Sequence, residues 1–405
     1  MLVIGGGAAG LMAAVAALQN GGKVVLLERN EKAGKKIYIS GKGRCNLTNV
    51  AEKEEFFKNV PTNPKFLYSA VNLFDSEKVR AFFIENRVPL KVERGGRVFP
   101  ESDKASDVTA ALVKKITSLG GKIVYDERVE SVEKEGDEFI VKTKNNEYRD
   151  FSVVVATGGV SYPSTGSTGD GYAIAERFGH SIVEPKPALS ALLADTPSSL
   201  SGLSLKNVEL KISGKGKTLF KDFGEMLFTL NGVSGPIVLT ASSVVNKYEG
   251  NMTLSVDLKA ALDYETLEKR VLRDFKENIN KSISNTLPSL LPKSLIKVVL
   301  EKSDIDPEKK VNSITKEERR RLIETLKGLT FNIRGFAPIE QAIVTSGGVN
   351  VKEINPKTME SKLVKGLYFA GEVIDYDCFT GGFNIQSAFS TGYAAGTYAS
   401  QNDIR

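Results

Sequence analysis

Tryptophan is absent from this chain of 405 residues, histidine occurs once and cysteine twice. Cys45 and Cys378 provide neither a disulfide framework nor a C-x-x-C redox pair. The one histidine, His180, leaves no His/Cys cluster to hold a metal. It follows Gly179 at the end of a helical pattern and starts an apolar stretch, which reads as a structural position. If the chemistry needs a proton carrier, that group must therefore be Cys, Tyr, Lys, Arg or a carboxylate. No apolar run approaches a membrane span. The first such run leads straight into glycines with no cleavage site, so a cytoplasmic protein without a membrane partner is expected. Its strand begins almost at Met1, which leaves the native start open.

What is present is ordinary for a globular protein: 41% hydrophobic and 26% charged residues, with 37 glycines. The length allows at least one large core and two or three domains. The net charge of +6 is unevenly placed. Residues 259–334 carry 17 Lys/Arg against 12 Asp/Glu, whereas residues 191–258 carry 6 of each. That excess reads either as a solvated helical face or as a surface for an anionic partner.

Leu2-Val3-Ile4 suits a short buried strand, and Gly5, Gly7 and Gly10 then match G-x-G-x-x-G. Ala8 to Gln19 reads as a helix closed by Gly21-Gly22, and Lys23 to Leu27 as a second strand ending at Glu28. Such a turn lets a backbone approach a pyrophosphate at a positive helix end, with the acid placed for a ribose diol. In this strand–helix–strand setting the turn specifies a dinucleotide. Gly166 to Gly171 is also glycine-rich but has the wrong spacing, so a second dinucleotide domain is not expected.

A loop dense in Gly and Lys, Arg29 to Asn49, comes next. Helices are expected from Pro64 to Phe74, Ser76 to Asn86 and Ser106 to Leu119, with a Gly-Gly hairpin over Val92 to Phe99. Strand patterns follow at Lys122–Tyr125, Val129–Glu133, Glu138–Lys144 and Phe151–Ala156, before a Pro-rich exit at Pro185 and Pro187. Beyond Leu189 alternating strands enclose a helix near Gly235 to Val245, and three helices follow between Tyr264 and Leu326. Strand patterns return at Gln341–Thr345 and Leu367–Ala370, ahead of a last helix from Asn384 to Ala399.

Gly5 to Gly10 with Glu28, Val155-Ala156-Thr157-Gly158-Gly159 and Gly366-Leu367-Tyr368-Phe369-Ala370-Gly371-Glu372 resemble the two-dinucleotide-binding-domain flavoproteins. More narrowly, Ser40-Gly41-Lys42-Gly43-Arg44-Cys45-Asn46-Leu47-Thr48-Asn49, Thr358-Met359-Glu360-Ser361-Lys362 and Gly381-Gly382-Phe383-Asn384-Ile385-Gln386 resemble the BaiN/RdsA-type NAD(P)/FAD-dependent oxidoreductases. The resemblance implies an α/β fold, with a Rossmann-like FAD-binding domain split by an inserted β-barrel-like unit plus a helical subdomain. The expected divisions are 1–190 and 335–405 for the FAD domain and 191–334 for the insertion, β-rich over 191–258 and helical over 259–334. Expected FAD contacts are Gly5, Gly7, Ala8, Ala9, Gly10, Glu28, Arg29, Lys36, Gly41, Gly43, Arg44, Asn46, Val129, Thr157, Gly158, Gly371, Glu372, Gly382, Asn384 and Ile385. Among these, Glu372 would reach a ribityl hydroxyl. Backbone N–H groups near Asn384 and Ile385 would hold negative charge on the reduced flavin.

By the same resemblance the loop Ser40 to Asn49 lies along the flavin, with Lys42, Arg44 and Cys45 as candidate catalytic groups. Cys45 reads either as a packed thiol or as a proton donor whose pKa the flanking cations lower. Cys378 stands where the family is expected to have a small residue, commonly Gly, so a redox role for it is not supported. The activity implied is reduction of an activated C=C bond by hydride from flavin N5. NAD(P)H would be a transient reductant. Two substrate classes come with the family: uridine in ribosomal RNA and steroid-like enones. The basic stretch holding Lys309, Lys310, Lys316, Arg319, Arg320 and Arg321 leans towards RNA, weakly because Glu317 and Glu318 interrupt it. A FAD-stabilised, non-catalytic binding protein is the competing class.

Overall fold

The computed structural model describes residues 1–401. Two compact units are present: Met1–Ala188 with Ile339–Arg405, and Leu189–Pro338. In the first, five short parallel strands lie in the order Leu367–Phe369, Val153–Val155, Leu2–Ile4, Val25–Leu27, Lys122–Val124. Val3 stands opposite both Val154 and Leu26 in the ladder. Runs such as Val153-Val154-Val155 are wholly apolar because both faces of the sheet are covered.

The helix Ala8–Gln19 is buried from Ala9 to Leu18, as its apolar sequence on every side requires. Against it packs the last helix, Phe383–Ser400. A Cβ added at Gly392 would lie 2.2 Å from Ala9 O, and one at Gly396 would lie 2.0 Å from Ala13 O. The two helices are thus in backbone contact and run parallel.

Two three-stranded antiparallel sheets complete this unit. One pairs Thr48–Asn49, Arg97–Pro100 and Leu90–Glu93; the other pairs Val129–Glu135, Glu138–Thr143 and Glu147–Asp150. The Pro-rich exit expected at Pro185 and Pro187 is instead the strand Ile182–Ala188, antiparallel to Val344–Val349. Proline is tolerated there because the sheet has only two strands, both of them edges.

The second unit is a closed six-stranded barrel, in the order Leu192–Ala194, Gly232–Ser234, Lys217–Thr229, Ser204–Gly214, Met252–Asp257, Leu329–Phe336. Helices Tyr264–Glu277, Lys293–Lys302 and Lys316–Lys327 share its core. Thr315 and Glu318 form a reciprocal cap on the last of these. One expectation is corrected here: the stretch read as helical to residue 334 ends in the barrel strand Leu329–Phe336. The basic segment is also more self-contained than its composition implies. Lys309 pairs with Glu318 at 2.6 Å, Arg319 with Glu268 at 3.2 Å and Arg320 with Glu317 at 2.7 Å, while Arg321 donates to Ser303 O.

His180 joins the segments around Glu353, Ser361 and Phe369. Its ring lies 3.2 Å (Nδ1) from a Glu353 oxygen and 2.8 Å (Nε2) from Ser361 Oγ, and edges onto Phe369. Burial pushes its pKa below the ordinary 6.5, against the pull of Glu353. Folding therefore favours the neutral ring, and the unfolded chain takes up the proton first as pH falls. Stability is expected to be fully present above pH 6.5 and to decline from there towards the depressed folded value. Burial raises the Glu353 pKa, but its hydrogen bonds from Ser181 and the His180 charge hold it below 4.5, outside that window. Urea midpoints measured just above and just below the ordinary imidazole range should separate in the native protein and nearly coincide in His180→Gln. Equal separation in both would assign the effect elsewhere.

Candidate active site

The three glycines of the first turn answer to different neighbours. Gly5 has φ +102°, and a Cβ there would stand 2.6 Å from Ala156 O. At Gly10 it would stand 1.9 Å from Gly5 O. Those two are required by the protein's own packing. At Gly7 a Cβ would meet nothing within 4 Å. Gly7 is the N-cap of Ala8–Gln19, with no side-chain cap and no acid in the first turn. The N–H groups of Ala8, Ala9 and Gly10 thus open onto a clear, electropositive helix end.

Glu28 is buried, and its two oxygens are used differently. Oε2 accepts the Gly6 N–H at 2.7 Å; Oε1 accepts the Asn30 N–H at 2.8 Å and its Nδ2 at 2.6 Å. The acid therefore holds the glycine turn in shape, and its carboxylate retains lone pairs for a ribose. Arg29 ties down the 166–170 loop, donating to Thr168 Oγ1 at 2.6 Å and pairing with Asp170 at 3.2 Å. Val129 opens an edge strand of its sheet, which leaves alternate backbone groups unpaired on one side. Thr157 Oγ1 is buried with no partner beside Gly158, where φ is +75°.

Lys36 and Glu372, distant in the chain, meet at 2.7 Å. Ser161 Oγ lies 2.7 Å from Lys36 Nζ and donates to Glu372 Oε1 at 3.0 Å, which also accepts the Thr345 N–H at 2.7 Å. Glu372 was expected to reach a ribityl hydroxyl; in the structure it already carries this network. Ser161 and Thr345 escaped the sequence reading because nothing local marks them. The antiparallel pair that the prolines disguise brings in Thr345, whose Oγ1 accepts the Ser161 N–H at 3.1 Å.

The loop after Lys36 turns sharply, with left-handed residues at Gly41, Lys42, Gly43 and Cys45. Those reversals separate neighbours in sequence. Arg44 swings to the hairpin, pairing with Glu93 at 2.7 Å and Asp103 at 3.2 Å and covering the Phe99 ring at 4.2 Å. Lys42 is exposed. Cys45 is wholly buried in the core cluster, and desolvation pushes its thiol up to about 12, against a hydrogen bond from Ser40. The premise that Arg44 and Lys42 lower the thiol pKa is therefore corrected: Arg44 is neutralised elsewhere, and burial decides. Cys45→Ala is expected to cost about 1 kcal/mol of stability, the value of a small buried group. Substrate-dependent flavin reoxidation should stay within about twofold of native, where removal of a general acid costs about 10²–10⁴-fold. Stopped-flow absorbance distinguishes the two.

The last helix begins at a second uncapped end. Gly382, φ +100°, is its N-cap, without side-chain cap or first-turn acid. A Cβ there would meet Thr48 O at 2.3 Å and Asn46 Oδ1 at 2.9 Å. Asn46 Oδ1 is buried without a protein partner. The Asn384 side chain is engaged, donating to Cys378 O at 2.7 Å and accepting the Cys378 N–H at 3.0 Å, so what it and Ile385 offer is backbone. At Gly371, φ +77°, a Cβ would lie 2.7 Å from Ala9 Cβ, so the strand end closes directly on the first helix. Because Gly392 abuts Ala9 in parallel helices, the last helix starts roughly 13 Å upstream of the first, on the same side. Two uncapped N-termini and the Gly7 clearance suit an extended cofactor with anionic groups, and the unpartnered Asn46 oxygen suits a hydrogen-bond donor on it. Among the described residues no group of three or more His, Cys, Asp or Glu could hold a metal, and no helix is long and apolar enough to cross a membrane.

The HI0933-like protein Rossmann domain family matches residues 1–398. The chain is 32% identical over 411 residues to a 3-dehydro-bile acid delta(4,6)-reductase of Clostridium scindens, covering 98% of each. It is 31% identical over 401 residues to a ribosomal RNA dihydrouridine synthase of Haemophilus influenzae, covering 97% of this chain and 96% of that one. In fold alone it is similar to a 3-ketosteroid delta1-dehydrogenase of Sterolibacterium denitrificans, with a TM-score of 0.52 at 12% identity over 99% of both chains.

Proposed function

The chain belongs to the HI0933-like family of Rossmann-domain, FAD-dependent oxidoreductases, and we propose that it uses FAD to reduce an activated C=C bond. The observation that carries this reading is the pair of uncapped helix N-termini, at Gly7 and Gly382, opening on the same side of parallel helices. In this reading the N–H groups after Gly7 hold the pyrophosphate and Glu28 takes a ribose hydroxyl. The N–H groups after Gly382 hold negative charge at the far end, where the Asn46 oxygen accepts a hydrogen bond from the cofactor. FAD, when bound and once reduced, would supply the hydride. NAD(P)H is the proposed reductant, approaching transiently, since one glycine turn of the required spacing is present. With His180 committed to Glu353 and Ser361 and Cys45 buried, the proton falls to a tyrosine, a lysine or solvent.

Uridine in ribosomal RNA is the favoured acceptor, supported by the relative from Haemophilus influenzae and by a second ribosomal RNA dihydrouridine synthase, of Escherichia coli, at 31% identity. The internal pairing of Lys309, Arg319 and Arg320 takes away much of the support that charge lent to it. A small enone is the second reading, supported by the bile acid reductase at 32% identity. Mass spectrometry of ribosomal RNA from cells with and without the gene tests the first. A dihydrouridine present only with the gene is expected. Unchanged RNA, together with NADPH-driven turnover of a steroid enone, would move the assignment to the second.

A further inference from the structure

The side chain of Asn49, the last residue of the loop Ser40 to Asn49, joins three segments. It is buried, 7% exposed. Its Nδ2 donates to Gly95 O at 2.9 Å and to Gly381 O at 3.0 Å, while Oδ1 accepts the Ala51 N–H at 2.9 Å. Two carbonyls on one side and an N–H on the other fix which end is nitrogen. The strand pair Asn49 with Arg97 brings the hairpin to the same point. Room is tight: a Cβ at Gly96 would stand 2.5 Å from Asn49 Oδ1.

The consequence lies in the Gly381–Gly382 peptide. Both residues have positive φ, +128° and +100°. Glycine crosses between backbone regions at little steric cost, so a Gly-Gly peptide can rotate and exchange the directions of its C=O and N–H. Within one planar trans peptide those two groups point in opposite directions. The Asn49 amide holds the carbonyl, which turns the Gly382 N–H away from Asn49. Rotation would leave the Asn49 donor without Gly381 O and put a carbonyl dipole where an N–H had been. Next to a group that becomes negative on reduction, that exchange replaces attraction by repulsion.

We propose that Asn49 is a positioning residue that latches the Gly381–Gly382 peptide with its N–H directed to the cofactor end of the last helix, so that the protein binds reduced flavin preferentially. This rests on the FAD reading above. The flavin midpoint potential of the holoenzyme, measured by spectroelectrochemistry in native protein and Asn49→Ala, tests it. Asn49→Ala is expected to retain FAD and to bind the reduced form at least tenfold less tightly relative to the oxidised form. For a two-electron couple that lowers the potential by about 30 mV. If the alanine variant does not fold, Asn49→Ser, which keeps one donor, should show a smaller fall in the same direction. A folded, FAD-loaded variant of either kind with the native potential overturns the latch. Native protein that holds no FAD at all would instead remove the reading beneath it, so the two failures are distinguishable.

Discussion

Gly7→Val protein is expected to purify folded and colourless. Gly7 has φ −78° and ψ −172°, an extended conformation that a β-branched residue adopts readily, and nothing within 4 Å would meet its Cβ. Valine therefore costs the apoprotein little. Its methyl groups project into the clear helix end, where the pyrophosphate is proposed to sit. Forced overpacking costs about 1–3 kcal/mol or more, so FAD affinity should fall by at least about 5–150-fold. Gly10→Ala should behave differently, because its Cβ would be 1.9 Å from Gly5 O and the turn itself must move. Apoprotein unfolding midpoints and flavin absorbance, read together on both variants, separate the cases. Stoichiometric FAD in Gly7→Val would show that this clearance has another purpose.

The second large effect is expected in the helix pair. Gly396→Ala places a methyl 2.0 Å from Ala13 O, a backbone atom that cannot swing aside. Alanine gains about 1 kcal/mol over glycine in helix propensity, which opposes the change. Separating two buried helices along a contact that also includes Gly392 costs more, about 1–3 kcal/mol net and occasionally beyond. Chemical denaturation of the apoprotein measures it. Gly392→Ala, beside Ala9, should add a loss of FAD affinity, because it displaces the start of the first helix. An unchanged midpoint in both variants would mean that the helices are not in backbone contact.

Sequence pattern and structure differ where distant neighbours decide the outcome. Arg44 and Cys45 are adjacent in sequence, yet left-handed turns at Gly43 and Cys45 send one to Glu93 and the other into the core. Proximity along the chain was mistaken for proximity in space. The strand Leu329–Phe336 straddles the expected boundary at 334, because its ladder partners, Leu192–Ala194 and Met252–Asp257, lie far upstream. Pro185 and Pro187 argued against a strand, correctly for a central one and wrongly for an edge.

The sequence by itself determined the glycine turn, the acid that follows it and the family motifs, because each depends on short-range requirements. A strand of three residues, glycines at set spacing and an acid at the next strand end are all written within one βαβ unit. Only the tertiary structure decided which of those groups are available for chemistry. Burial set the state of Cys45, Ser161 and Thr345 from two other segments joined Lys36 and Glu372, and internal ion pairs engaged Lys309, Arg319 and Arg320 of the basic insertion. Availability depends on desolvation and on long-range neighbours, and neither is encoded at the position of the residue itself.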